Sequence, residues 1–350
     1  MQIAAGMRDR GWTSRSVVLG PGWVLNGLQE RALHYDIVET QGRFDVRYLW
    51  QLRSLVRRHG VELIHAHLFS PAVYASLVAA LEHVPLVATF HGASDVEYGG
   101  WSTRLRYRFI SRRATIVCVS ESLAAAIPAQ GLSTATRSRV IHNGVDVARF
   151  AAASGHDLRL EHGVADDTFL IGALGNMRDA KDYPTLLRAA AVLAPDLRVA
   201  VAIVGEPAEP LLGELTRLRS ELGLEQRVSF WGFRNDVPEV LAAFDALAIS
   251  SVSEGFSLAA VQALAAGKPV VATRCGGPEE ILTDGVDGLL VPTSSPDALA
   301  GALHRLIESP NLCTRLSTAG RMTAAGRFSV ESMLDAYETL YLECMGRTSA

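Results

Sequence analysis

Cysteine is scarce. The 350 residues hold four, Cys118, Cys275, Cys313 and Cys344, far apart and without a C-x-x-C pair. That spacing supports neither a zinc site nor a disulfide framework and fits buried free thiols in a reducing cytosol. A basic excess is lacking too. Lys+Arg is 33 and Asp+Glu 37, for a net charge of −4, the wrong balance for a protein that binds duplex nucleic acid. No stretch approaches the ~18 apolar residues of a membrane span; the longest uncharged apolar region lies around Ser70–Leu81. No charged segment leads into an apolar run at the start, so the opening does not read as a signal peptide. It reads instead as the back half of an amphipathic helix with Gly11 at the C′ position. The expectation is a cytoplasmic protein.

What is present is an alternation. With 49% hydrophobic and 20% charged residues, the chain has material for two domains of roughly 100–200 residues. Short apolar, β-branched runs alternate with helix-length segments. In the first part they are Ser16–Leu19, Tyr35–Val38, Leu63–His67, Leu86–Phe90, Ile116–Val119 and Val140–His142. In the second they are Leu170–Leu174, Val199–Val204, Val228–Trp231, Ala246–Ile249, Val270–Thr273 and Leu289–Val291. Such spacing indicates βαβ units, and runs apolar on both faces indicate parallel sheets covered on both sides. The fold class is α/β, with two doubly wound Rossmann-like domains. Boundaries are expected at 1–148 and 149–328, after the turn pair Asn143-Gly144. A terminal helical segment, 329–350, is expected to pack on either domain.

Three strand–loop–helix junctions carry chemistry. In Gly175-Asn176-Met177-Arg178-Asp179-Ala180-Lys181-Asp182-Tyr183-Pro184, Arg178 and Lys181 sit just before a helix start. Cations there oppose the helix dipole unless an anion binds, when free N–H groups and a Lys charge make a phosphate site; a solvated loop lysine is the plainer reading. In Ser253-Glu254-Gly255-Phe256-Ser257 to Gly267, Glu254 follows a strand, where open sheets place ligand groups. Gln262 is the one polar interior residue of an apolar helix. It either bonds to nearby backbone or faces a ligand with hydroxyls. In Cys275-Gly276-Gly277-Pro278 two glycines allow close backbone approach to a ligand or simply make a turn. His91 ends the strand Leu86–Phe90 on the crevice side and is read as a ligand contact or a satisfied structural residue. His65 and His67 share a strand face, but no third ligand follows at metal-site spacing. No G-x-G-x-x-G follows an early strand, which argues against a dinucleotide oxidoreductase.

Taken together these residues resemble retaining glycosyltransferases of family 4, with the two-domain GT-B architecture. The second half carries the resemblance, in Gly175 to Lys181, Ser253-Glu254-Gly255-Phe256 to Thr273, Gly276-Gly277-Pro278-Glu279, and Asp284-Gly285 to Val291. His142-Asn143-Gly144-Val145-Asp146 fits at the junction, and Leu63 to His67 and Val87 to Gly92 fit more loosely in the first half. The resemblance implies a nucleotide-sugar donor, UDP- or GDP-linked, as substrate, with no other cofactor and no essential metal. It implies transfer of a hexose-type residue, with retention, to a glycan or lipid-linked acceptor. By the same carry-over Lys181 holds the diphosphate, Glu254 the sugar hydroxyls and Gln262 the ribose, and His91 lies near the transferred sugar. Gly175, Asn176, Arg178, Gly255, Phe256 and Ser257 complete the donor-contact set.

The chain departs from the family in three ways. Asn176 stands where the family usually has Arg, with Arg178 two residues on as its substitute. Gln262 stands where it has a second glutamate; an amide still bonds a ribose. The family's first domain opens with a strand and glycine-rich loop that this chain lacks. That strand is central in a 3-2-1-4-5-6 order, so two neighbouring strands would be left with unpaired edges. The expectation is a start other than Met1, or a truncated gene. These departures also motivate an alternative, a degenerate non-catalytic member that binds nucleotide or a partner protein. Arg104 to Arg113 is basic with interleaved aromatics. It is either a solvated helix face or a peripheral contact with anionic lipid at the inner face of the membrane.

Overall fold

The computed structural model describes residues 1–42, 45–92, 100–129, 138–193 and 197–347. The chain divides into two units, Met1–His142 with Val330–Ala350, and Asn143–Ser329.

The first unit runs α1 (Gln2–Asp9), β1 (Arg15–Val18), α2 (Trp23–Glu30), β2 (His34–Ile37), α3 (Val46–Arg58), β3 (Ile64–His67), α4 (Phe69–Glu82), β4 (Leu86–Phe90), α5 (Trp101–Arg113), β5 (Ala114–Cys118), α6 (Glu121–Ala129) and β6 (Ser138–Val140). β1 and β2 form a parallel two-stranded sheet, and β3-β4-β5-β6 a parallel four-stranded one. β4 and β5 are buried along their whole length, which is why both are free of charge and apolar apart from Thr89 and Thr115. α1 serves both sheets. On one face Ala4 and Ala5 pack with Val18, Leu25, Leu28 and Leu33, while on another Ile3 and Met7 pack with Val87, Val117 and Ile141. Arg10 caps α1 and Gly11 follows at φ +85°, a left-handed stop that glycine adopts without strain.

The second unit runs α7 (Val147–Ala152), α8 (His156–Glu161), β7 (Phe169–Leu174), α9 (Tyr183–Val192), β8 (Val199–Val204), α10 (Leu211–Glu221), β9 (Val228–Gly232), α11 (Val237–Ala243), β10 (Ala246–Ile249), α12 (Leu258–Ala265), β11 (Val270–Thr273), α13 (Gly277–Ile281), β12 (Leu289–Val291), α14 (Pro296–Glu308) and α15 (Pro310–Arg327). The last helix, α16 (Val330–Cys344), returns to the first unit. Its Met333, Leu334, Tyr337, Leu340 and Tyr341 complete the core around Val87 and Val117.

The six parallel strands of the second unit lie in the order β12-β11-β10-β7-β8-β9. Alternate residues feed two cores, Ile171, Val201 and Ala246 on one face and Leu170, Ala202 and Leu247 on the other. The chain winds outward from β7 in one direction, then restarts at β10 in the other. β7 and β10 are neighbours, so the loops leaving their carboxyl ends diverge and open a crevice.

Candidate functional site

The crevice is a cavity of about 330 Å³, within the size range of small-molecule sites. Lys181 enters from the β7 side and Glu254 from the β10 side. After β7, Gly175 leaves at φ +155° and a single 3-10 turn spans Asp179–Lys181. A Cβ on Gly175 would lie 2.7 Å from Lys181 Cε, so the bare glycine lets the lysine stem cross this loop. Tyr183 beneath donates its hydroxyl to Gly175 O, and burial raises the tyrosine's pKa.

Lys181 Nζ donates to Glu254 Oε1 at 2.7 Å. The lysine side chain is 24% exposed and the glutamate 9%. Ser251 Oγ donates to the same Oε1 at 2.7 Å. Glu254 is also held through its backbone, since its N donates to Cys275 O and its O accepts from Gly277 N. The third junction therefore acts as a clamp on the second. Burial pushes the Cys275 thiol up to about 11, so it stays protonated at neutral pH.

The helix start that faces the cavity differs from the one the loop pattern suggests. At α9, Asp182 turns its own carboxylate onto Thr185 N and Oγ1, so that first turn already carries its anion. α12 is different. Phe256, Leu258, Ala259 and Gln262 all line the cavity. Ser257 at its N-cap makes no side-chain capping bond, and its buried Oγ has no partner. An unsatisfied buried hydroxyl at a helix start favours an anionic or hydroxylated ligand.

Of the expected donor-contact residues, Gly175, Asn176, Lys181, Glu254, Phe256 and Gln262 line the cavity together. Gly255 and Ser257 lie in the same loop beside them. Arg178 is exposed and stands outside the lining. Asn176 Oδ1 accepts from Glu206 N at 3.2 Å, which ties that side chain to the β8 loop. Gly205, Phe233, Arg234 and Val237 also line the cavity and were not anticipated. They follow the ends of β8 and β9, so the strand-end rule applied to these two strands as well as to β7 and β10 finds them. Arg234 is already spoken for. Its Nε and Nη2 donate to the two oxygens of Asp236, and its Nη1 to Glu161, contacts that raise its pKa.

In the first unit His91 follows β4, with Nε2 3.0 Å from His67 Nδ1 and the two rings stacked. Burial, with His91 and the Met1 amino group nearby, lowers the His67 pKa to about 4. His65 spends both ring nitrogens, one 2.6 Å from Tyr341 Oη and the other 2.7 Å from Thr89 Oγ1. Among the described residues no group of three His, Cys, Asp or Glu is placed to hold a metal, and no helix is long and apolar enough to cross a membrane. On α5, Trp101, Arg104, Leu105, Arg108 and Arg112 share the exposed face.

Two parallel α/β units, one with a cavity at its switch point that holds a Lys–Glu pair, define the GT-B class of transferases. The comparisons agree. Residues 156–323 match the family model described as Glycosyl transferases group 1, and residues 1–149 match Glycosyltransferase Family 4. The putative glycosyltransferase EpsD of Bacillus subtilis (strain 168) is 30% identical over 82% of this chain and 79% of its own. The D-inositol 3-phosphate glycosyltransferase of Corynebacterium jeikeium (strain K411) is 32% identical over 83% of this chain and 74% of its own. The structure of Anabaena Alr3699/HepE in complex with UDP superposes with a TM-score of 0.87 at 26% identity, covering 97% of this chain and 94% of that one; its complex with UDP-glucose gives 0.84. The chain belongs to glycosyltransferase family 4, group 1.

Proposed function

We propose that the chain moves a hexose-type sugar from a UDP- or GDP-linked donor to a hydroxyl of a glycan or lipid-linked acceptor, with retention and without an essential metal. The observation that carries this reading is the cavity of the second unit, where Lys181, Glu254 and the start of α12 converge. The bond from the anomeric carbon to the diphosphate oxygen breaks and a bond to the acceptor oxygen forms. The acceptor proton leaves with the phosphate or to water. Charge that develops on the departing diphosphate is met by Lys181 Nζ and by the N–H groups of α12, preorganised donors of the kind that stabilise a leaving group. Glu254 accepts from sugar hydroxyls, and Gln262 faces the ribose. The UDP and UDP-glucose complexes of Alr3699/HepE support a uridine nucleotide as the first donor to try. His91 is assigned to the transferred sugar by resemblance alone.

The test is a thermal-shift and turnover screen of UDP- and GDP-sugars, with and without a chelator. The expected outcome is donor consumption that survives chelation and is abolished by Lys181→Ala and by Glu254→Ala. Full activity of both variants refutes the assignment. Tight nucleotide binding with no sugar consumed would favour the non-catalytic alternative.

The exposed face of α5 supports a second element of the proposal, contact with anionic lipid through Arg104 to Arg113. Trp101 is 79% exposed and Leu105 60%, an apolar edge between arginines suited to a headgroup interface. Sedimentation with liposomes should then rise with acidic lipid content; independence from it removes this element.

A further inference from the structure

Three consecutive residues after β10 tie the site together. Ser250 Oγ donates to Lys181 O at 2.8 Å. Val252 N donates to Ala180 O at 2.9 Å. Between them Ser251, 1% exposed, gives its hydroxyl to Glu254 Oε1 while its carbonyl accepts from Thr273 Oγ1 on β11. The residues on either side, one through its hydroxyl and one through its backbone, thus hold the lysine's loop, and of the three Ser251 alone reaches the carboxylate.

We propose that Ser251 is a positioning residue for sugar transfer: it holds Glu254 in its sugar-facing orientation when a diphosphate draws Lys181 away. This rests on the donor-site reading above. Glu254 Oε1 has two donors, Lys181 Nζ and Ser251 Oγ. A diphosphate bound at Lys181 competes for the first. Ser251 is anchored from β11 by Thr273 independently of the lysine side chain, so one bond to Oε1 persists and the carboxylate keeps its place in the cavity lining. Without the Ser251 hydroxyl, the carboxylate's remaining side-chain partner would be Lys181. It would then swing toward the ammonium and compete with the phosphate charge instead of contacting the sugar. The role is conservative of geometry, so Ser251 should affect recognition of the sugar and the transfer step more than recognition of the nucleotide.

The test uses the full chain with three variants, Ser251→Ala, Ser251→Thr and Ser251→Val. Thr and Val share one shape and differ by the hydroxyl, so steric cost cancels between them. Calorimetry with UDP and UDP-glucose (GDP and GDP-mannose in parallel) is combined with donor turnover and melting. Ser251→Ala and Ser251→Val are expected to bind the bare nucleotide within about twofold of wild type. They should lose the extra affinity conferred by the sugar, and kcat should fall roughly tenfold to a hundredfold, the scale of a lost hydrogen bond to a charged group. Ser251→Thr should exceed Ser251→Val in kcat by about tenfold or more. Equal kcat for Thr and Val, or unchanged kcat and sugar-dependent affinity in Ser251→Ala, overturns the inference. So does a parallel loss of bare-nucleotide affinity, which marks a purely structural role. A wild-type chain that neither binds nor consumes these donors overturns the donor-site reading itself, a result distinguishable from the others because it precedes any substitution.

Discussion

Lys181→Met tests the central ion pair without any ligand. Methionine keeps the stem and removes the charge, so Glu254 is left with Ser251 as its one side-chain donor. Breaking a fully buried pair by removing one partner costs about 3–5 kcal/mol. Here the lysine side chain is 24% exposed and the glutamate 9%, and Ser251 still bonds Oε1, so the cost should be about 2 kcal/mol. In a unit of this size that lowers its melting transition by roughly 4–8 °C. Glu254→Gln should cost less, about 1 kcal/mol, because an amide still accepts from Ser251 and the lysine reaches water. The double variant should recover part of the loss, with a coupling of about 1–2 kcal/mol. Calorimetry without nucleotide, repeated at low and high salt, measures all four proteins; a half-buried pair is screened less than a surface one. Adding UDP should raise the transition of the wild type and much less that of Lys181→Met. Additive single costs, or a Lys181→Met transition that coincides with wild type, would refute the paired arrangement.

Three further outcomes follow from particular contacts. Gly205→Ala places a Cβ 2.0 Å from Gly175 O, a backbone atom that no rotamer change can clear; it should destabilise the second unit by about 1–3 kcal/mol and weaken UDP binding, read by calorimetry. His65 is held well below its ordinary pKa by burial first and then by His67, His91 and the Met1 amino group. It is neutral in the fold and takes up a proton on unfolding in acid, so its contribution is full above about pH 6.5 and is lost as pH falls toward the lowered value; urea titrations across that range should show the loss, and His65→Gln should flatten it. Glu338 on α16 accepts from Trp12 Nε1 at 2.8 Å and Arg10 Nη1 at 2.7 Å, so Glu338→Ala should cost the first unit about 1 kcal/mol, measured by denaturant midpoint.

Much of this protein is legible in one sequence. Eleven of the twelve apolar runs fall mostly within strands, and Leu86–Phe90, Val199–Val204, Ala246–Ile249, Val270–Thr273 and Leu289–Val291 coincide with their observed limits, whereas Val140–His142 meets β6 (Ser138–Val140) only at Val140. Strands such as β8 and β10 were readable because burial on both faces leaves no polar residue to blur the run, whereas the more exposed β1 and β2 carry Arg15, Ser16, His34 and Asp36. The loops after β7 and β10 were readable for the same reason, as polar clusters between an apolar strand and a helix start. Arg234 was not: its sequence neighbourhood is an ordinary turn, and only its contacts with Asp236 and Glu161 show a cation already neutralised. The anion-facing helix was not either. Asp182 precedes α9 and Ser257 precedes α12, and both are good caps by type, yet one side chain closes its helix and the other does not.

By itself the sequence determined the parallel α/β class, the strand positions and the residues from which a site would be drawn, because these depend on local periodicity and turn chemistry. Tertiary structure decided which of them meet. Lys181 and Glu254 are 73 residues apart, and they share a hydrogen bond only because β10 pairs with β7 where the strand order reverses. It also decided that α16 completes the first unit's core, since an amphipathic helix at a chain end carries no record of the apolar face that will cover it. Periodicity along the chain names the faces; the pairing of those faces is a long-range choice made by the packing of the whole.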